Sequence, residues 1–358
     1  MFIGHEIAAT IAQIHLHPSV LPRMCEILNY TSPNPNEPQC HLAPVATWAD
    51  KLRFKMRWSA ALHYIGARDD HPSQTCAFPG THGWAGKQGG NVISAIRNVT
   101  NILEDVVYDA KTRRTSAYQD ALANEALKFL IHFMGDVHMP LHLTGRDRGG
   151  NSDKVLFAGR QSNLHSVWDG LIIAKALRSV PSKYSRPLPS RKIEYALRGT
   201  IYDSYVRMIM VEGVLGKWKT QVPEWLTCPA PDRAEPSSVW QQVLSVWRRV
   251  TGAADDTDDE LICPYAWATP IHALNCEIVW PPALDLPPYN NSRFDAGLVQ
   301  TGPYLELDTP EYSGAIARQW IIERLLAQAG LRLAGVLNYL FADLEDMQDA
   351  GRGLHVYL

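Results

Sequence analysis

Apolar positions recur at intervals of three and four along most of the chain, the spacing of a helix with one buried face. The pattern predicts helices over 5–16, 20–29, 46–66, 92–107, 118–138, 163–178, 192–218, 238–250, 264–279 and 311–343. The segment 118–138 (YQDALANEALKFLIHFMGDVH) carries it best, and Pro140 then ends or kinks the run, because proline lacks an N–H. Within 46–66, Trp48, Leu52 and Met56 recur at four. Strand-like alternation is scarce, with 145–162 (holding GRDRGGN) the place for a short hairpin. Polar or proline-rich segments separate the helices: 31–45, 67–91, 179–191, TCPAPDRAEPSS, the acidic TGAADDTDDE and 281–310. No period of 20–50 residues repeats, which excludes a solenoid. Nothing marks a clean linker. The expected fold is all-α, a single multi-helix domain over 1–358 with a proline-rich insertion at 281–310.

Composition narrows the chemistry. The 358 residues are 46% hydrophobic and 20% charged, which excludes a mainly disordered chain. The net charge is −3, unlike a strongly basic nucleic-acid binder, so any phosphate chemistry must draw its positive charge locally. No apolar run reaches the ~18 residues of a membrane span. The start, MFIGHEIAATIAQIHLHP, has neither a basic n-region nor a cleavage site of small residues. Six cysteines (Cys25, Cys40, Cys76, Cys228, Cys263, Cys276) include no CxxC pair. Their even count and wide spacing fit disulfides, with buried free thiols as the alternative. Sequons at Asn29, Asn98 and Asn290 also suit a secreted glycoprotein whose signal is missing from the chain as written.

The candidate chemistry lies in the histidines. In FLIHFMGDVHMPLH, His132 and Asp136 are four apart, so a helix places both on one face with Cβ atoms about 5–6 Å apart. His165 and Asp169, in NLHSVWD, repeat the spacing. His142 follows Pro140 and is free to turn toward a second metal. Each pair alone is more often a plain helix-surface pair; two pairs with a histidine cluster between them favour a metal. Imidazole nitrogen with carboxylate oxygen suits zinc, whereas magnesium takes an oxygen shell. Asp50 and His63 are 13 residues apart, about 140° away from a shared face on a straight helix. Either the helix breaks between them or Asp50 sits at a helix end. His15, His17, His41, His71, His82, His272 and His355 read as surface or structural.

HFMGDVHMPLH, then RGGN, then NLHSVWD, in that order, resemble the secreted zinc-dependent single-strand-specific nucleases of fungi and plants. That family is distantly related to bacterial zinc phospholipase C. Gly4-His5 near the start, ATWAD at 46–50 and SAALHYI at 59–65 add to the likeness, which covers residue 4 to about 280 and the last helix. The resemblance implies a mostly helical fold with three zinc ions. Asp50, His63 and His132 would hold one, and His142, His165 and Asp169 a second. His5 would belong to the third, with Asp136 bridging the first and third. His138 has no ligand role in the family. Arg53 matches a basic position near the phosphate, Tyr64 an aromatic on which a base stacks, and Asn151 a turn beside the substrate. Where the family has an aspartate that helps hold the base, this chain has Gly66, and the 67–91 loop also differs.

The implied activity is hydrolysis of single-stranded DNA and RNA to 5′-phosphorylated products, with 3′-nucleotidase activity as a companion. Zinc would acidify the attacking water and stabilise the leaving oxygen. Two other readings stand beside it: a phospholipase C-like phosphodiesterase, and a secreted zinc- or nucleotide-binding glycoprotein without turnover. Neither a membrane nor an obligate protein partner is implied. The family also implies a Cys76–Cys276 bridge, from which Cys25–Cys40 and Cys228–Cys263 follow as local pairs. In the family a processed N-terminal tryptophan ligates the third zinc. Aligning Gly4-His5 places that tryptophan one residue before Met1, so the chain as written is expected to hold two zincs and to regain the third with an upstream tryptophan.

Overall fold

The computed structural model describes residues 2–87, 89–112, 116–229, 258–292, 302–342 and 354–357. The expected helix at 238–250 and the residue Met1 lie outside them. The longer helices are α1 (Phe2–Ile14), α2 (Val20–Leu28), α3 (Val92–Lys111), α4 (Ala117–Asp136), α5 (Pro264–Leu274) and α6 (Ile321–Phe341). Both α3 and α4 begin at a side-chain cap: Asn91 accepts from Ser94 N, and Ser116 from Gln119 N. Helix α4 buries Ala123, Ala126, Leu127, Leu130 and Phe133, the three-and-four stripe expected of it. Helix α6 is buried over nearly its whole length and packs along α1. Trp168, Trp267, Trp280 and Phe133 are among the largest side chains closed off in the core.

The helical class is as expected, and the departures have physical causes. The pattern at 46–66 does not make one helix. It makes short turns at Ala43–Ala46 and Trp48–Leu52, then a tight 3-10 turn at Arg57–His63. Met56 keeps the apolar period, but Arg53, Phe54 and Lys55 are all exposed, so nothing drives a continuous helix there. This is the break that Asp50 and His63 require. The run 192–218 is interrupted after Arg191–Leu197, where Gly199 takes a positive φ, and resumes at Asp203. The run 311–343 splits at Trp320, whose φ of 58° ends Ser313–Gln319 and starts α6.

The short hairpin is present as β1 (Lys154–Phe157) and β2 (Arg160–Asn163), antiparallel, with Lys154 opposite Asn163. Ala158 and Gly159 both hold positive φ, the geometry of a two-residue hairpin turn. The proline-rich 281–310 segment contributes an unexpected third strand, β3 (Leu305–Glu306), parallel to β1. Its Glu306 carboxylate accepts from Ala158 N and Gly159 N and so clamps that turn. Cys25–Cys40, Cys76–Cys276 and Cys228–Cys263 are bonded, the expected pairing.

Candidate metal centre

The last turn of α4 sets the centre. His132 and Asp136 share one face of it, and both are buried. Asp136 is 1% exposed, yet its carboxylate meets four imidazoles. Oδ2 lies 2.9 Å from His63 Nδ1 and 3.3 Å from His132 Nε2. Oδ1 lies 3.4 Å from His5 Nε2 and 3.3 Å from His142 Nδ1. His5 comes from α1, His63 from the end of its 3-10 turn, and His142 from a turn at Pro140–Leu143. The His5 ring stacks on His132 with centroids 4.1 Å apart, and Asp50 Oδ1 stands 3.8 Å from His132 Nε2.

His165 and Asp169 close the other side. The His142 and His165 rings are 5.0 Å apart, and Asp169 lines one cavity with His5, Asp136 and His142. Asp169 sits in a π-helical stretch, Val167–Leu171, a distortion that recurs at functional sites. The structure thus gathers all eight residues expected as ligands.

Backbone carbonyls aim three of the rings. His132 Nδ1 donates to Ala46 O at 2.7 Å, His142 Nδ1 to His63 O at 2.7 Å, and His165 Nδ1 to Gly149 O at 2.9 Å. A carbonyl only accepts, so each neutral ring keeps its proton on Nδ1 and presents the Nε2 lone pair. His5 Nδ1 and His63 Nε2 are buried without a hydrogen-bond partner. Orphaned nitrogens are rare in a stable interior, and on each of these rings the other nitrogen is the one that faces the Asp136 carboxylate. His63, His132 and Asp136 each offer a ligand atom within 4.8 Å of the others, as do His5, Asp50 and His132. The donor set fits a bound metal ion.

The protonation pattern follows from the packing. Burial opposes a charge on His132, but Asp136 and Asp50 outweigh it and push the ring up to about 9. Burial would raise Asp136, yet His132 and His142 hold it well below the usual carboxylate range. Burial and the neighbouring His132 lower His5; burial and His142 lower His165 to about 4.

The remaining expected residues lie around this centre. Arg53 is exposed just beyond the Asp50 turn. Tyr64 follows His63 and is 51% exposed. Asn151 is exposed, and its amide donates back to Arg148 O within the turn whose Gly149 carbonyl holds His165. At Gly66 a side chain does not fit: a Cβ would lie 2.4 Å from Gly145 N. A side chain here would require the Gly145 backbone to shift.

A supporting network carries little local sequence signal. Asp70 binds His272 Nε2 at 3.0 Å and accepts from Thr144, just after His142. Buried Arg146 pairs with Asp285 at 2.6 Å and lies over Trp280. The GRDRGGN run hinted at Arg146; nothing in 281–310 hinted at Asp285.

The sequence profile of the S1/P1 nuclease family matches residues 2–342. The chain belongs to this family. It is similar to Endonuclease 2 of Arabidopsis thaliana, 33% identical over 229 residues (63% of this chain, 67% of the relative). It is similar to Nuclease P1 of Penicillium citrinum, 26% identical over 338 residues (94% and 96%). It is also similar to Nuclease S1 of Aspergillus oryzae, 35% identical over 169 residues (47% and 52%). Membership supports a nuclease, a hydrolase of phosphodiester bonds acting on nucleic acid. Within this S1/P1 nuclease fold His138 is structural: its Nδ1 donates to Met134 O and its Nε2 accepts from Arg332. Among the described residues no helix is long and apolar enough to cross a membrane.

Proposed function

We propose that the chain is a secreted zinc nuclease, folded as one domain, that hydrolyses single-stranded DNA and RNA to 5′-phosphorylated products. Removal of a 3′-phosphate from nucleotides is a second activity of the same site. The observation that carries the reading is the Asp136 carboxylate, buried among four imidazoles from four separate segments. Asp50, His63 and His132 would hold one zinc, and His142, His165 and Asp169 a second; His5, with Asp136, would belong to a third. Imidazole and carboxylate donors suit zinc. Bound zinc supplies the Lewis-acid charge and the acidified water that phosphodiester hydrolysis needs.

The protein's own groups do the rest. Asp136 keeps its negative charge at working pH and neutralises the crowded cations. Arg53, at the exposed lip, faces the charge that develops on the phosphate oxygens. Tyr64 offers an exposed ring for a base, a contact worth about 1–3 kcal/mol and tolerant of base identity. A base in a duplex is already stacked, so the preference is for single strands. Secretion is supported by the three disulfides and by the exposed sequon residues Asn29 and Asn98.

The test compares hydrolysis of single-stranded DNA, RNA, duplex DNA and phosphatidylcholine, with zinc and after chelation. Zinc-dependent cleavage confined to the single strands supports the reading. Lipid cleavage without nucleic-acid cleavage, or activity indifferent to chelation, overturns it.

A further inference from the structure

Between Asp50 and His63, two members of the metal centre, the chain runs KLRFKMRW (51–58). Four of these eight residues are cationic and two are aromatic, in a protein of net charge −3. Arg53, Phe54, Lys55, Arg57 and Trp58 are all exposed; Phe54 is 73% exposed and Trp58 61%. Among the described residues, Arg53, Lys55 and Arg57 meet no acidic partner. The Arg53 guanidinium lies over the Phe54 ring, 4.9 Å from its centroid. Exposed aromatics cost solvation, and unpaired like charges two residues apart repel one another.

The tract is firmly held. Lys55 N and Met56 N both bond to Leu52 O, and Ser59 Oγ donates to Met56 O. From Trp58 an aromatic ladder runs inward: Trp58 meets Phe129 edge-on at 5.7 Å, Phe129 stacks on Phe133 at 5.0 Å, and Phe133 meets His63 at 5.3 Å. The outer surface is thereby fixed in position relative to the metal centre.

We infer that Phe54, Lys55, Arg57 and Trp58 form a track for the nucleotides flanking the cleaved bond. It grips the backbone of a single strand with its cations and stacks bases on its rings. This inference rests on the nuclease reading and deepens it: the preferred substrate is a polymer, and the track contributes affinity that a dinucleotide cannot use. Charge complementarity, alternation with aromatics and continuity with Asp50 and His63 name the occupant.

The test is the double variant Lys55→Ser/Arg57→Ser in the full-length, zinc-loaded protein, which leaves Arg53 and Tyr64 intact. Neutralising a single strand's phosphates gives a salt slope of about −0.7 per contact, so losing two cations should flatten log–log salt dependence by about 1.4. KM for a 20-nucleotide strand at 50 mM salt should rise about tenfold, while kcat and dinucleotide kinetics stay unchanged. Lys55→Arg/Arg57→Lys, which keeps the charges, should restore the polymer KM. Equal effects on polymer and dinucleotide, or no effect on the polymer, would overturn the track. If the wild type cleaves neither substrate, the nuclease reading fails, and anisotropy of a labelled single strand in chelator still reads the track. A slope flattened by about 1.4 in the double variant then supports it; an unchanged slope, or binding to anionic vesicles alone, overturns it.

Discussion

Gly135, one residue before Asp136, gives the most direct mechanical test of the centre. A Cβ at this position would lie 2.2 Å from His5 Nδ1, 2.7 Å from its Cε1 and 3.2 Å from its Cγ. Ordinary contact begins near 3.4 Å, so in Gly135→Ala the His5 ring must retreat by about 1.2 Å. That ring stacks on His132 and lies 3.4 Å from Asp136 Oδ1, so the retreat breaks both relations. Stability should hardly report it. Alanine gains up to about 1 kcal/mol of helix propensity over glycine, against about 1–3 kcal/mol for overpacking, leaving a net loss of about 0–2 kcal/mol. Catalysis should report it strongly, since a 1 Å misplacement in a catalytic constellation costs about 100-fold. The assay pairs kcat on single-stranded DNA with zinc content by elemental analysis, and checks folding by circular dichroism and thermal melting. A folded Gly135→Ala protein with wild-type kcat and zinc content would refute the placement of His5 in the centre.

Three further outcomes are expected. Asp136→Asn should abolish most turnover through lost metal, whereas Tyr64→Ala should mainly raise KM; equal effects on kcat and KM from both would contradict the assigned roles. Asp285→Ala leaves buried Arg146 with only the Asp147 carboxylate, which should cost about 1–3 kcal/mol in denaturant unfolding and loosen the Thr144 segment beside His142; an unchanged midpoint would contradict this. His15 is held neutral by burial and by nearby Lys192, down to about 3. The unfolded chain takes up a proton that the fold refuses, so this contribution is complete above pH ~6.5 and is lost as pH falls toward 3. Unfolding free energy measured over that window should carry a slope of up to about 1.4 kcal/mol per pH unit from this group, absent in His15→Asn; identical slopes would reject it.

The sequence made the centre more legible than its supports. His132 and Asp136 were readable because a helix converts four-residue spacing into a shared face, and the same holds for His165 and Asp169. The Asp50–His63 pair was readable only as a geometric demand for a break, which the turns at Trp48–Leu52 and Arg57–His63 meet. Periodicity could not place that break, because Met56 keeps the apolar rhythm through residues that bury nothing. Gly199 was an available signal for the interruption of 192–218, whereas the left-handed Trp320 gave none. The carbonyls of Ala46, His63 and Gly149 that aim three imidazoles carry no side-chain signature at all. Strand β3 and Asp285 arise in a proline-rich stretch whose partners, β1 and Arg146, lie more than 130 residues earlier. Local pattern has no access to contacts of that range.

On the proposed function, catalysis resides in metal held around Asp136. The measurement that tests it is zinc titration of the chelator-stripped protein, following zinc bound per chain and the rate of single-strand cleavage in the same samples. Cleavage should be negligible without metal and should climb with zinc occupancy in the wild type, with Asp136→Asn failing to recover at the same zinc concentrations. Full cleavage by the stripped protein, or equal recovery by Asp136→Asn, would contradict it.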